Sequence, residues 1–144
     1  MRALFVAGLL LSVSLAATAA DRFACPAWEI LIVDELGRPV PGFSVLQEWG
    51  AKSGAQFTNS SASALTDAAG RVAFPARQIR PPREKNPLKK MGRIIDGEKT
   101  SETWANIFVG SASHQGLWIR AWNDPLILST TNGFRSRVTL KQAP

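Results

Sequence analysis

The sequence holds one cysteine, one histidine and no tyrosine in 144 residues. A lone cysteine precludes an intrachain disulfide, and a single histidine leaves little for a metal centre or a histidine-driven active site. Beyond the first twenty residues no run is apolar enough to cross a bilayer, which takes about 20 residues, so no integral membrane segment is expected after export. No internal repeat is visible. With 45% hydrophobic and 19% charged residues, 11 Gly and 9 Pro, the chain fits one ordinary globular domain and excludes a disordered tail or a collagen-like rod.

What is present begins with an address. Residues 1–20 read MRALFVAGLLLSVSLAATAA: Arg2, an apolar run from Ala3 to Leu15, then Ala17-Thr18-Ala19-Ala20. That is the pattern of a cleaved signal peptide, which leaves residues 21–144 as a single domain in the periplasm or the medium. Cys25 follows the cleavage zone, but Arg22 stands where lipid attachment wants a small or aliphatic residue. Cys25 is therefore expected to be a small buried hydrophobe. Without residues 1–20, sixteen basic and eleven acidic side chains leave a net charge of +5.

The periodicity is that of strands. Trp28–Asp34 (WEILIVD) is an apolar run of strand length, and two Pro and two Gly within Leu36–Gly42 preclude a helix after it. In Gly42–Trp49 the alternation puts Phe43, Val45 and Trp49 on one face and Ser44 and Glu48 on the other. Residues 50–64, rich in Ser, Ala, Gly and Asn, read as a loop with a weak strand near Gln56–Asn59. Thr66–Arg71 is a turn, Val72–Ala76 an edge strand limited by Pro75. Trp104–Ala112 and Leu117–Trp122 read as a hairpin with Ser113–Gly116 at its tip, followed by strands at Leu126–Thr130 and Arg135–Lys141. Seven or eight short strands point to an all-β, two-sheet antiparallel sandwich.

Two stretches, Val33–Val45 (VDELGRPVPGFSV) and Thr66–Phe74 (TDAAGRVAF), resemble bacterial carboxypeptidase regulatory-like domains, within the transthyretin-like (prealbumin-like) β-sandwiches. The pattern is a strand, a D-x-x-G-x-P-V-x-G turn, a second strand, then T-D-x-x-G leading into a third. The match covers residues 29–80, and Val138-Thr139-Leu140 resembles the last strand. The resemblance implies an immunoglobulin-like sandwich of about seven strands, usually non-catalytic, that serves structure, adhesion or binding in exported proteins. Some relatives are enzymes. Intradiol-dioxygenase-like members bind iron through Tyr and His, and this chain has no Tyr and one His. Hydroxyisourate-hydrolase-like members need several His and a C-terminal Tyr-Arg-Gly-Ser, where this chain ends Lys141-Gln142-Ala143-Pro144. Neither activity carries over, and residues 77–103 depart from the pattern.

Three features can carry chemistry. Arg77–Arg93 (RQIRPPREKNPLKKMGR) holds seven basic residues against Glu84. Pro81-Pro82 keeps its start extended, and Asn86-Pro87 reads as an N-cap with Pro at the first helical position. Leu88, Met91 and Ile95 then form an apolar stripe, with Lys89, Lys90 and Arg93 on other faces. Gly92 costs this helix about 1 kcal/mol, so packing against the sandwich is expected to hold it. Arg83, Lys85, Lys89, Lys90 and Arg93 make the segment a candidate arm for an anionic surface. It lacks the interleaved aromatics of nucleic-acid binding.

The second feature is Leu117–Trp122. Alternation puts Leu117, Ile119 and Ala121 on one side and Trp118, Arg120 and Trp122 on the other, a candidate platform for sugar rings or a partner chain. The third is Ser113-His114, which is no G-x-S-x-G elbow and reads as a hairpin tip.

The expectation is an exported module without enzymatic activity or cofactor that binds or supports an envelope glycan or protein. The alternatives are an inhibitor or immunity-type protein and a Ser/His hydrolase using Ser111 or Ser113 with His114. N-terminal sequencing of the exported protein should begin at Ala20 or Asp21; an intact Met1 would overturn the signal-peptide reading.

Overall fold

The computed structural model describes residues 24–82, 85–95 and 102–143, without the side chains of Lys90, Arg93 and Ile94. The expected signal peptide and Arg83 lie outside the described residues.

The elements run β1 (Ala24–Cys25), β2 (Trp28–Val33), β3 (Ser44–Ser53), β4 (Gln56–Leu65), β5 (Arg71–Phe74), β6 (Arg77–Gln78), α1 (Pro87–Ile95), β7 (Glu102–Ser111), β8 (His114–Arg120), β9 (Ile127–Thr130) and β10 (Gly133–Thr139). The architecture is all-β apart from α1. One four-stranded sheet has the order β5-β2-β10-β9, a second has β4-β3-β7-β8, and β1 pairs with β6. Among these pairs β2 and β10 run parallel, from Trp28↔Phe134 to Val33↔Thr139, which corrects the expectation of a purely antiparallel fold. Parallel neighbours cannot be joined by a hairpin. Here the connection is nearly the whole chain, which crosses to the second sheet and back between them.

Both sheets contribute to one core. The alternation of β2 turns Trp28, Ile30 and Ile32 inward, β10 adds Phe134 and Val138, and the facing sheet supplies Val45, Ala105, Ile107, Val109 and Ile119. Each Val, Ile or Phe of this set, fully removed from water, contributes roughly 1.5–3 kcal/mol. Trp28 meets Phe134 edge-on at 5.4 Å, and its indole N–H donates to Ser136 Oγ at 3.0 Å. The largest core ring is thus packed and hydrogen-bonded at once.

The two turns read from the sequence close on their aspartates. Asp34 Oδ1 accepts the N–H groups of Leu36 (2.9 Å) and Arg38 (2.8 Å). The Arg38 backbone, aided by its guanidinium, holds the Asp34 carboxyl below the usual carboxylate range. Asp67 Oδ1 accepts the N–H groups of Ala69 (2.8 Å) and Arg71 (2.9 Å). Gly70 sits between them at φ +71°, where a Cβ would lie 2.6 Å from the Ile32 carbonyl oxygen. β5 ends before Pro75 and is an edge strand, as expected.

Three expectations are corrected. Residues 50–64 are no loop: β3 and β4 form a long hairpin in register from Ser44↔Leu65 to Ser53↔Gln56. Backbone pairing to a strand already held by β7 outweighs the weak strand preference of Ser, Ala and Asn. The β7–β8 hairpin turns at Ala112-Ser113, so His114–Gly116 belong to β8. Helix α1 forms with Asn86 Oδ1 accepting the Leu88 N–H at 3.0 Å, yet Leu88, Met91 and Ile95 are 78%, 63% and 76% exposed rather than packed on the sheets.

Cys25 is fully buried, and Gln47 Nε2 lies 4.0 Å from its sulfur. Arg77 stacks on Trp49 at 4.5 Å and donates to Gln47 Oε1 at 3.1 Å, so a guanidinium covers this corner of the core. Burial pushes the Cys25 thiol up from about 9 to about 11, with Arg77 pulling the other way. A folded-state value above the unfolded one gives stability that is complete below about pH 9 and lost as pH rises towards 11. Denaturant midpoints should therefore fall over that window in the parent and fall less in Cys25→Ala. Iodoacetamide at pH 8 should label Cys25 only after unfolding; rapid labelling of the native protein contradicts the burial.

Candidate functional site

Side chains of a sheet alternate, so the strands that bury Val45, Ile107 and Ile119 must present their other residues outward. The register of β4-β3-β7-β8 aligns these outward residues in rungs. Ser63, Leu46, Phe108 and Trp118 form one rung; Ser61, Glu48, Asn106 and Arg120 form the next. A third holds Asn59, Gly50 and Trp104. Half-buried Leu46 and Phe108 with exposed Trp118 thus make an apolar patch, and the rung of a carboxylate, an amide and a guanidinium separates it from half-buried Trp104, with the hydroxyl row of β4 along one side.

Glycines keep this face flat. A Cβ on Gly110 or Gly116 would lie 2.8–2.9 Å from the Phe108 ring, which therefore lies across the backbone of β7 and β8. A Cβ on Gly50 would lie 2.5 Å from Cζ2 of Trp104. Aromatic rings covering cross-strand glycines is a known way to fill a sheet surface. Phe108 and Trp118 then meet at 4.8 Å with their planes inclined at 42°.

Trp118 and Arg120 therefore stand together on the outer face, with Trp118 47% exposed. Trp122 does not join them, which corrects the expectation of a two-tryptophan platform. β8 ends at Arg120, and Trp122 takes a φ of +68°. Its ring lies against Phe134 of the other sheet at 6.2 Å. Asp124 fixes this departure, its Oδ1 accepting the Leu126 N–H at 2.9 Å. Phe108, Trp104 and Leu46 replace Trp122 in the site. They escape a reading of single strands because only the register of β3, β7 and β8 brings them beside Trp118.

The other candidates stand apart from this face. Lys85 and Lys89 are exposed at and before α1, and the side chains of Lys90 and Arg93 lie outside the described residues. At the β7–β8 turn, Ser111 Oγ and Ser113 Oγ lie 2.9 Å and 3.1 Å from the same nitrogen, Nδ1 of His114. The imidazole leans edge-on against Phe43 at 5.6 Å. Among the described residues no carboxylate hydrogen-bonds that ring, the part a catalytic triad would need. On the opposite sheet Arg71, Arg135 and Arg137 surround Glu29, which pairs with Arg71 at 2.6 Å. Exposed pairs of this kind contribute about 0–1 kcal/mol.

No family model and no curated protein matches the sequence. Solved structures do align. They include 3-chlorocatechol 1,2-dioxygenase from Rhodococcus opacus 1CP, with 12% identity, TM-score 0.44, and coverage of 83% of this chain and 59% of that one. Catechol 1,2-dioxygenase from Pseudomonas arvilla C-1 aligns with 14% identity, TM-score 0.44, and coverage of 84% and 53%. Hydroxyquinol 1,2-dioxygenase from Pseudomonas putida DLL-E4 aligns with 12% identity, TM-score 0.40, and coverage of 86% and 57%. The chain thus spans little more than half the length of these neighbours. They are enzymes, and the expectation of a protein without enzymatic activity is corrected on that finding. At these scores the likeness carries no activity, metal or substrate to this chain. Nor do its residues fit an iron centre built from Tyr and His: it has no Tyr, and Nδ1 of its single His faces two serines.

The flat face depends on the glycines beneath it. Gly116→Val should lift the Phe108 ring and change the near-ultraviolet circular dichroism and the tryptophan emission, while the far-ultraviolet spectrum stays that of a β protein. An unchanged near-ultraviolet spectrum would contradict the stacking of Phe108 on that strand.

Proposed function

We propose that this protein is an exported recognition module that holds a glycan of the cell envelope on the outer face of β4-β3-β7-β8. The observation that carries this reading is the rung Leu46–Phe108–Trp118, an apolar patch laid flat over Gly110 and Gly116, followed along the same face by the polar rung Glu48–Asn106–Arg120 and then by Trp104 over Gly50. A pyranose has the matching form. Its C–H face stacks on an aromatic ring, and its equatorial hydroxyls reach sideways to hydrogen-bonding groups. Glu48, Asn106, Arg120 and the serines of β4 stand where those hydroxyls would lie.

We read the fold as a transthyretin-like, immunoglobulin-like β-sandwich of the carboxypeptidase regulatory-like kind. The two aspartate turns at Asp34 and Asp67, which the resemblance rests on, support that reading. The signal-like N-terminus supports an address in the periplasm or outside the cell.

Titration with envelope oligosaccharides, followed by tryptophan fluorescence at low and physiological salt, tests the function. Binding should persist at physiological salt, because stacking is not screened over the Debye length of about 8 Å. Trp118→Ala should weaken it at least about tenfold, a loss of about 1.4 kcal/mol. His114→Ala should leave it unchanged. Equal affinity of Trp118→Ala and parent would refute this site.

A further inference from the structure

Helix α1 is the part of the molecule that the sheets do not explain. Its large apolar side chains Leu88, Met91 and Ile95 recur at helical spacing and are 63–78% exposed. A contiguous exposed apolar stripe on a soluble protein marks a surface that something covers. The segment 85–95 carries Lys85, Lys89, Lys90 and Arg93, and its acidic residues lie outside it, Glu84 before and Asp96 and Glu98 after. What covers the stripe must therefore accept apolar side chains and bring negative charge.

Size decides between a protein and a lipid surface. A helix of nine residues is about 14 Å long, and among the described side chains its stripe offers three. A stable protein interface buries about 1,200–2,000 Å², far more than this stripe can supply. Insertion at a membrane interface needs no minimum footprint. It grows with each apolar side chain buried at the headgroup boundary and with each Lys or Arg near an anionic surface. The helix is also much too short to span a bilayer.

We propose that α1 is an interfacial anchor, lying in the plane of an anionic phospholipid surface with Leu88, Met91 and Ile95 sunk below the headgroups. Exposed Lys85 and Lys89 supply charge for the lipid phosphates. Asn86 starts the helix by accepting the N–H groups of Leu88 and Lys89 at 3.0 Å and 3.4 Å. Gly92 keeps it marginal in water, so binding and helix formation reinforce each other. The anchor shares no residue with the aromatic face and does not rest on the glycan reading.

Co-sedimentation of the purified protein with glycan-free vesicles tests it. Vesicles of phosphatidylglycerol and phosphatidylcholine should retain the protein, and vesicles of phosphatidylcholine alone should retain far less. The double variant Leu88→Ser/Ile95→Ser should bind the anionic vesicles at least about tenfold more weakly. Both replaced side chains are exposed, so its circular dichroism and oligosaccharide binding should match the parent. Absence of binding to anionic vesicles overturns the proposal and leaves a protein partner as the cover of the stripe. Equal binding by parent and double variant also overturns it, since charge alone would then account for retention.

Discussion

Everything else in this fold leans on the parallel pairing of β2 with β10. It joins the first long strand to the last, with six residue pairs from Trp28↔Phe134 to Val33↔Thr139. The indole of Trp28 reaches across it to Ser136, and Phe134 packs on the same ring. Closing such a pairing costs loop entropy over nearly the whole chain before its contacts return anything. Folds dominated by such non-local contacts form slowly. The compensation is the buried face that β2 and β10 turn towards the facing sheet, apolar but for Ser136, whose hydroxyl takes the Trp28 indole N–H.

Strand alternation ties stability to recognition in the second sheet. Val45, Ile107 and Ile119 face the core because their neighbours Leu46, Phe108 and Trp118 face outward. A slip of one residue in the β3–β7 register would exchange the two sets and destroy both core and platform together. Arg77 plays a comparable double part at one corner, stacking on Trp49 while donating to the buried Gln47. No buried polar side-chain atom among the described residues lacks a hydrogen-bond partner.

Much of this was legible in advance, and the failures share one cause. The Asp34 and Asp67 turns, the edge strand stopped by Pro75 and the Asn86-Pro87 helix start are local events, decided within about five residues. The Ser- and Ala-rich stretch of β4 has little strand preference of its own and by itself reads mostly as loop; pairing to β3 supplies what propensity lacks. Alternation alone puts Trp122 with Trp118, but Trp122 lies two residues past the end of β8, where a φ of +68° turns the ring to the other sheet. The α1 stripe was read as a packing face because helical spacing identifies an apolar surface but not its neighbour.

The sequence by itself determined where the Asp34 and Asp67 turns fall, which strand residues are apolar and how the charge is concentrated in 77–93, since these depend on residue type and near neighbours. Only the tertiary structure decided that β2 and β10 run parallel, that Phe108 and Trp104 join Trp118 on one face, and that Trp122 and the α1 stripe lie elsewhere. Those outcomes depend on which strands meet and in what register. The many long-range hydrogen bonds and the shared core settle that together, and no single stretch of chain contains it.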